Sequence, residues 1–193
     1  MESDELRQLL SAGSEGCADV ADQPATVVAT IEPLLAVLIA TREQLAGYER
    51  MVRRLARADR VARRLMTVPG VGTVVALAFV STIEDPERFK RSSSVGAYLG
   101  LTPRRYQSGD VDRAGRISRC GDGMLRSYLF EAANVLLRRS TRPCQLHGWG
   151  RALIERIGAR KALVAVARKL AVLLHGMWRD GSEFRFGDAE AAK

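Results

Sequence analysis

From about Thr26 to Met66 the apolar positions of the chain follow a helical period. Ile31, Leu38, Leu45 and Val52 recur every seven residues, and Leu34, Tyr48, Leu55 and Ala62 fill much of the second seam. That spacing predicts a coiled coil or one arm of an antiparallel helical hairpin, and with it a homo-oligomer. Thr41 and Asp59 fall on seam positions and leave it imperfect. Proline is tolerated only near the first turn of a helix, so the regular helix is expected to start close to Pro33. Residues 1–24 carry Gly13, Gly16, Pro24 and several acids, which predicts a short helix at most and then a loop.

The arm runs into Val68-Pro69-Gly70-Val71-Gly72 and then a second apolar helix. This order resembles the helix-hairpin-helix motif. Gly70 and Gly72 allow unusual backbone angles and let the main chain approach a ligand closely. The free N–H groups of the following helix sit at its positive dipole end, which suits phosphate. Such contact is independent of DNA sequence, because backbone amides meet only the phosphates. Val68 and Val71 are expected to anchor the turn in the core.

Beyond a turn at Asp85–Phe89, Ser92, Ser93 and Ser94 are expected to cap a short helix ending at Gly100. The stretch from Arg104 to Asp122 is rich in Gly, Arg and small hydroxyls and has no helical period, which predicts a loop or short irregular hairpin. Helices are predicted again at Met124–Arg139, about Leu146–Ile157 and Arg160–Trp178. The expected fold is mainly α. A flexible segment (1–24) precedes a coiled-coil-type arm (25–66). A compact helical domain (67–186) holds the hairpin motif and the irregular arginine- and glycine-rich loop, and a tail (187–193) follows.

Charge changes the picture. Thirty Lys and Arg against 22 Asp and Glu leave +8. Residues 1–99 hold 12 basic and 13 acidic side chains, whereas residues 100–187 hold 17 and 7, so the excess lies in the second half. A polyanion such as DNA or RNA is the expected partner of that half. Cys17, Cys120 and Cys144 are too far apart for a disulfide scaffold or zinc ribbon. His147 and His175 are single and distant, so packing is favoured over metal binding. The start of the chain lacks the order of a signal peptide, and charges interrupt the most apolar run, Ala162–Met177. A cytoplasmic protein with no membrane contact is therefore expected.

The set of motifs is more specific than any one of them. Val68-Pro-Gly-Val-Gly, Arg88-Phe89, Gly100-Leu101-Thr102-Pro103, Ser108-Gly109, Gly115-Arg116-Ile117-Ser118, Gly121-Asp122, Leu125-Arg126 and Ala165-Val166-Ala167-Arg168-Lys169-Leu170 occur in this order. Together they resemble the carboxy-terminal domain of the IS one-ten type insertion-sequence transposases, a domain shared by the Piv-type invertases, over about residues 25–186. The resemblance implies a DNA recombinase whose active site is composite. An acidic RuvC-like domain holds Mg2+, and a serine from the domain seen here attacks the phosphodiester. An element-encoded bridge RNA guides some members. The serine maps best onto Ser108, with Ser118 as the second candidate. No RuvC-like pattern is found upstream of the arm, so this chain is expected to bind no cofactor alone and to be inactive by itself.

Around Ser108 stand Arg104, Arg105, Arg113, Arg116 and Arg119, whose forked guanidinium groups match phosphate oxygens. Arg126, Arg168 and Lys169 match motif positions and are expected to contact the nucleic-acid backbone, or else to pair internally. From composition alone Ser108 would be a turn serine before Gly109, and Ser118 a cap for the helix at Met124. The alternative to a recombinase part is a non-enzymatic helix-hairpin-helix module that binds DNA or RNA, the remnant of a truncated transposase.

Overall fold

The computed structural model describes residues 25–108, 111–139 and 144–186. Among them the structure is mainly helical, with one two-stranded sheet. The chain divides into one unit ending at Arg50 and a second, compact unit beginning at Met51. The first helix, α1 (Ala25–Ala58), crosses that boundary. Pro33 lies well inside it, so the helix does not begin there as expected. A proline deletes one N–H bond of the ladder and crowds the preceding turn, and here the helix continues on both sides of that defect. Within the first unit the heptad seam is bare. Leu34 is 66% and Tyr48 61% exposed, and Ile31, Leu38 and Leu45 are exposed as well.

In the second unit the arm does not run on to Met66. Asp59 leaves the helical conformation, and its Oδ1 accepts the amide of Ala62 at 2.7 Å. The residue that spoiled the heptad pattern is thus the N-cap of a separate short helix, α2 (Arg60–Leu65), which buries Ala62 and Leu65. The Pro-Gly turn follows, with Val68 and Val71 buried. Helix α3 (Thr73–Ile83) buries Ala76, Phe79 and Ile83. A 3-10 turn (Pro86–Arg88) starts where Asp85 Oδ1 accepts the Glu87 amide, and it leads to α4 (Ser93–Tyr98).

Strands β1 (Pro103–Ser108) and β2 (Val111–Ile117) pair antiparallel. Three helices complete the unit: α5 (Gly123–Arg139), α6 (Gln145–Ile157) and α7 (Ala159–Asp180). Helix α7 is the core's centre. Ala162, Val166, Ala167, Leu170, Ala171 and Leu174 are buried on it, and it packs against α2, α4, α5 and α6. Its small residues let neighbours close in, and Gly150 of α6 fits tightly against Leu137 and Val166.

His175 is fully buried on α7. Its Nε2 lies 2.9 Å from the Pro86 carbonyl oxygen, which can only accept, so Nε2 carries the proton. Nδ1 lies 2.9 Å from Ser92 Oγ, whose hydroxyl donates to it when the ring is neutral. Ser92 precedes α4 as expected, but its hydroxyl is spent on His175 and makes no cap bond. After α7 the chain doubles back: the Phe184 amide donates to Thr67 Oγ1 at 3.2 Å, and Phe184 and Phe186 meet edge to face at 5.0 Å. No helix among the described residues is long and apolar enough to cross a membrane.

The turn at Gly70 gives a direct test of this packing. Gly70 has φ +86, and a Cβ there would overlap the Ala132 carbonyl oxygen of α5. Gly70→Ala should cost about 2–4 kcal/mol from backbone strain and overlap, read as a lower urea midpoint with unchanged m. Gly72→Ala, with no atom near its Cβ position, should cost under about 1 kcal/mol.

Candidate nucleic-acid interface

The described residues of the arginine- and glycine-rich segment form a pair of antiparallel strands. Its register pairs Pro103 with Ile117, Arg105 with Ala114, Tyr106 with Arg113, Gln107 with Asp112 and Ser108 with Val111. Between the first two pairs the ladder is irregular: Gly115 and Arg116 stand opposite Arg104 alone. Such a bulge strengthens the local twist and re-aims side chains. The absence of a helical period was the correct signal, but the alternation of a strand is blurred here by arginine on both strands.

The hairpin is rigidly rooted. The Ser118 amide donates to Thr102 O at 2.8 Å and the Arg119 amide to Gly100 O at 3.1 Å. Gly100 (φ +67) and Gly121 (φ +75) touch backbone where any Cβ would overlap, Gly100 against Cys120 and Gly121 against the Tyr98 carbonyl. Arg119 itself is held at φ +56. Nη1 of Arg126, half-buried on α5, donates to Leu99 O at 3.0 Å and Cys120 O at 3.1 Å. Arg126 therefore ties the two ends of the root together. Its Nη1 is committed to protein carbonyls, the internal pairing that was one of the two expectations for it. Asp122 Oδ1 accepts the Leu125 amide and caps α5, the role that Ser118 was expected to hold.

The structure separates the two candidate serines. Ser118 sits at the root, half-buried, with its hydroxyl 3.5 Å from the Cys120 amide that donates to it. Ser108 is the last residue of β1, at the far end. Five strand steps from Pro103 carry it about 17 Å from the root. The side chains of Ser108 and Arg113 lie outside the described residues, as do Gly109 and Asp110. Arg104, Arg105, Arg116 and Arg119 are exposed along the hairpin and its root, and Arg104 also donates to Ser118 O at 3.1 Å.

The two motif cations on α7 diverge. The stem of Arg168 lies over Gly96 of α4, leaving no room for a Cβ there. Lys169 Nζ sits 4.4 Å from the centroid of the Trp149 ring of α6. Trp149 is 38% exposed. At the Pro-Gly turn Gly72 is exposed and starts α3 without a side-chain cap. Gly70 is used for close packing on α5, so the two glycines have different jobs. A groove of about 690 Å³ beside this turn is lined by Gly70, Gly72, Val75, Arg139 and Phe186 among others. Arg139, at the end of α5, was missed by sequence reasoning, because it lies far along the chain from Gly70 and meets that turn only in the folded groove. Among the described residues no group of three His, Cys, Asp or Glu side chains could hold a metal ion.

Residues 62–147, spanning the turn, the hairpin and all of α5, match the sequence model described as the transposase IS116/IS110/IS902 family. The chain belongs to that family. It is 34% identical over 146 residues to the transposase for insertion sequence element IS1111A of Coxiella burnetii, covering 75% of this chain and 40% of that protein. It is 31% identical over 143 residues to the transposase for IS1328 of Yersinia enterocolitica, covering 74% and 43%. The chain thus spans about two fifths of the length of these curated relatives. In this IS116/IS110/IS902 family member, the family match covers every residue of the hairpin and its root.

The root bonds predict a local effect. Arg126→Met should cost about 2–3 kcal/mol, because two carbonyls lose a charged donor. Amide exchange in 103–119 should accelerate more than in α7; equal acceleration in both would assign Arg126 to general stability instead.

Proposed function

We propose that this chain is the serine-bearing, DNA-binding part of a DNA transposase. The observation that carries the reading is the hairpin 103–117, an exposed arginine-bearing finger on a rigid root, inside the segment that matches the transposase family. A finger so fixed can present arginines to phosphates without ordering itself on binding, which keeps the entropic cost low. Exposed Arg104, Arg105, Arg116 and Arg119 neutralise the phosphates of the engaged strand. The turn at Gly72 and Arg139 holds a neighbouring stretch of backbone, and an RNA guide would engage the same cations through its own phosphates.

Ser108, at the hairpin's end, is the nucleophile of this reading. Its oxygen forms a bond to phosphorus as the bond to one DNA oxygen breaks. The serine proton leaves to a base, and the departing DNA oxygen takes up a proton. The phosphodiester count is conserved, so the reverse attack by a DNA hydroxyl reseals the strand without a nucleotide cofactor. Mg2+ fits poorly here, because the described residues form no metal cluster; a carboxylate-bearing domain would supply it, and no step is assigned to it in this chain. The bare heptad seam of α1 pairs with a second copy of the chain, which brings two hairpins to one recombination site.

Two experiments test this. In strand-exchange assays with the carboxylate-bearing domain supplied, Ser108→Ala should abolish exchange and leave DNA affinity within about twofold. Exchange that survives Ser108→Ala but not Ser118→Ala would move the nucleophile to the root. In sedimentation, the wild-type chain should be oligomeric at micromolar concentration, and Leu38→Glu with Leu45→Glu should yield monomer. A monomeric wild type would remove the arm from the assembly.

A further inference from the structure

At the root of the hairpin lies a cavity of about 440 Å³ that the reading above does not use. Its walls are Ile117 and Arg119 from the root, Ser127, Phe130 and Glu131 from α5, and Val164 from α7, with others. It is a cleft open to solvent, and its volume is within the range of about 300–1,000 Å³ found for small-ligand clefts. We propose that this cavity receives a single unpaired nucleotide of the DNA held by the hairpin, with its base against Phe130 and its phosphate at Arg119. The proposal rests on the DNA-binding reading above and names a subsite within it.

The chemistry of the walls is divided in the way a nucleotide is divided. Ser127, Phe130 and Glu131 are spaced i, i+3 and i+4 on α5 and so share one face. Phe130 is half-buried and offers a ring on which any base can stack. Glu131 is exposed, and an ionised carboxylate accepts N–H donors, which bases carry and phosphates do not. The Ser127 hydroxyl donates to the Gly123 carbonyl at 3.0 Å, so its remaining capacity toward a ligand is as an acceptor. Glu131 therefore repels a phosphate, and Ser127 has no donor left to offer one, so both suit the N–H groups of a base edge. Arg119 also lines the space, and it is exposed and cationic. Its backbone is left-handed although it is not glycine, a conformation that concentrates at ligand-binding positions. Arg126 also lines the space, but its Nη1 is taken by Leu99 O and Cys120 O, so it builds the wall.

A base can enter only if it leaves the stack, and it does so most cheaply where it has no partner. Binding of a 20-base-pair duplex is therefore compared with binding of the same duplex carrying one bulged nucleotide. The wild-type chain should favour the bulged duplex by roughly tenfold, the range of one base stacked on an aromatic ring. 2-Aminopurine as the bulged base should lose emission on binding. Ser127→Phe and, separately, Val164→Phe fill the cavity. Each should bind the perfect duplex as the wild type does and lose the preference, with a melting curve to show that the variant is folded. Equal wild-type affinity for the two duplexes, or a preference that survives in a folded cavity-filled variant, overturns the proposal while the DNA-binding reading stands. Failure of either duplex to bind removes both.

Discussion

Two strands that carry four arginines cannot be held by their own pairing, because a lone hairpin is marginal in water and its like charges repel. What holds this one is backbone contact at its root. Gly100 and Gly121 bring the segments before β1 and after β2 to a separation that no side chain permits. Arg126 then crosses the gap with two bonds from one nitrogen. Arg104, Arg105 and Arg116 on the strands are exposed, and the root is where their repulsion is opposed. The same contacts fix the hairpin to α4 and α5, and through them to α7 at the centre of the core.

The helices were legible because their signal is a period. The three after residue 123 begin and end close to where the apolar spacing places them, and the turn at Val68–Val71 is anchored as its residue types require. The limits of the arm were read less well. Asp59 looked like a fault in a seam and is a cap, a role visible only once the chain is seen to leave the helix there. Pro33 looked like a start and lies inside. In both cases one local rule was outweighed by the residues on either side.

The site was legible in its residue types and less so in their duties. Arginines at 104, 105, 116 and 119 are exposed, as a phosphate surface requires. Arg126 carries the same charge on the same motif and faces inward, because its helix starts beside the two carbonyls it serves. Nothing in sequence spacing separates those cases, since the carbonyl partners arrive from Leu99 and Cys120 through the turn of the chain. Trp149, Arg139 and the cavity at Phe130 escaped for a related reason: each is defined by a neighbour on another helix.

The strap formed by residues 181–186 sets an order on assembly. The bond from the Phe184 amide to Thr67 spans 117 residues, and Phe186 lines the groove beside Gly70. A growing polypeptide presents its early helices long before these aromatic rings have left the ribosome. The Pro-Gly turn is thus translated well before the strap that completes the groove beside it, and that groove is finished only when residues 184–186 have folded back.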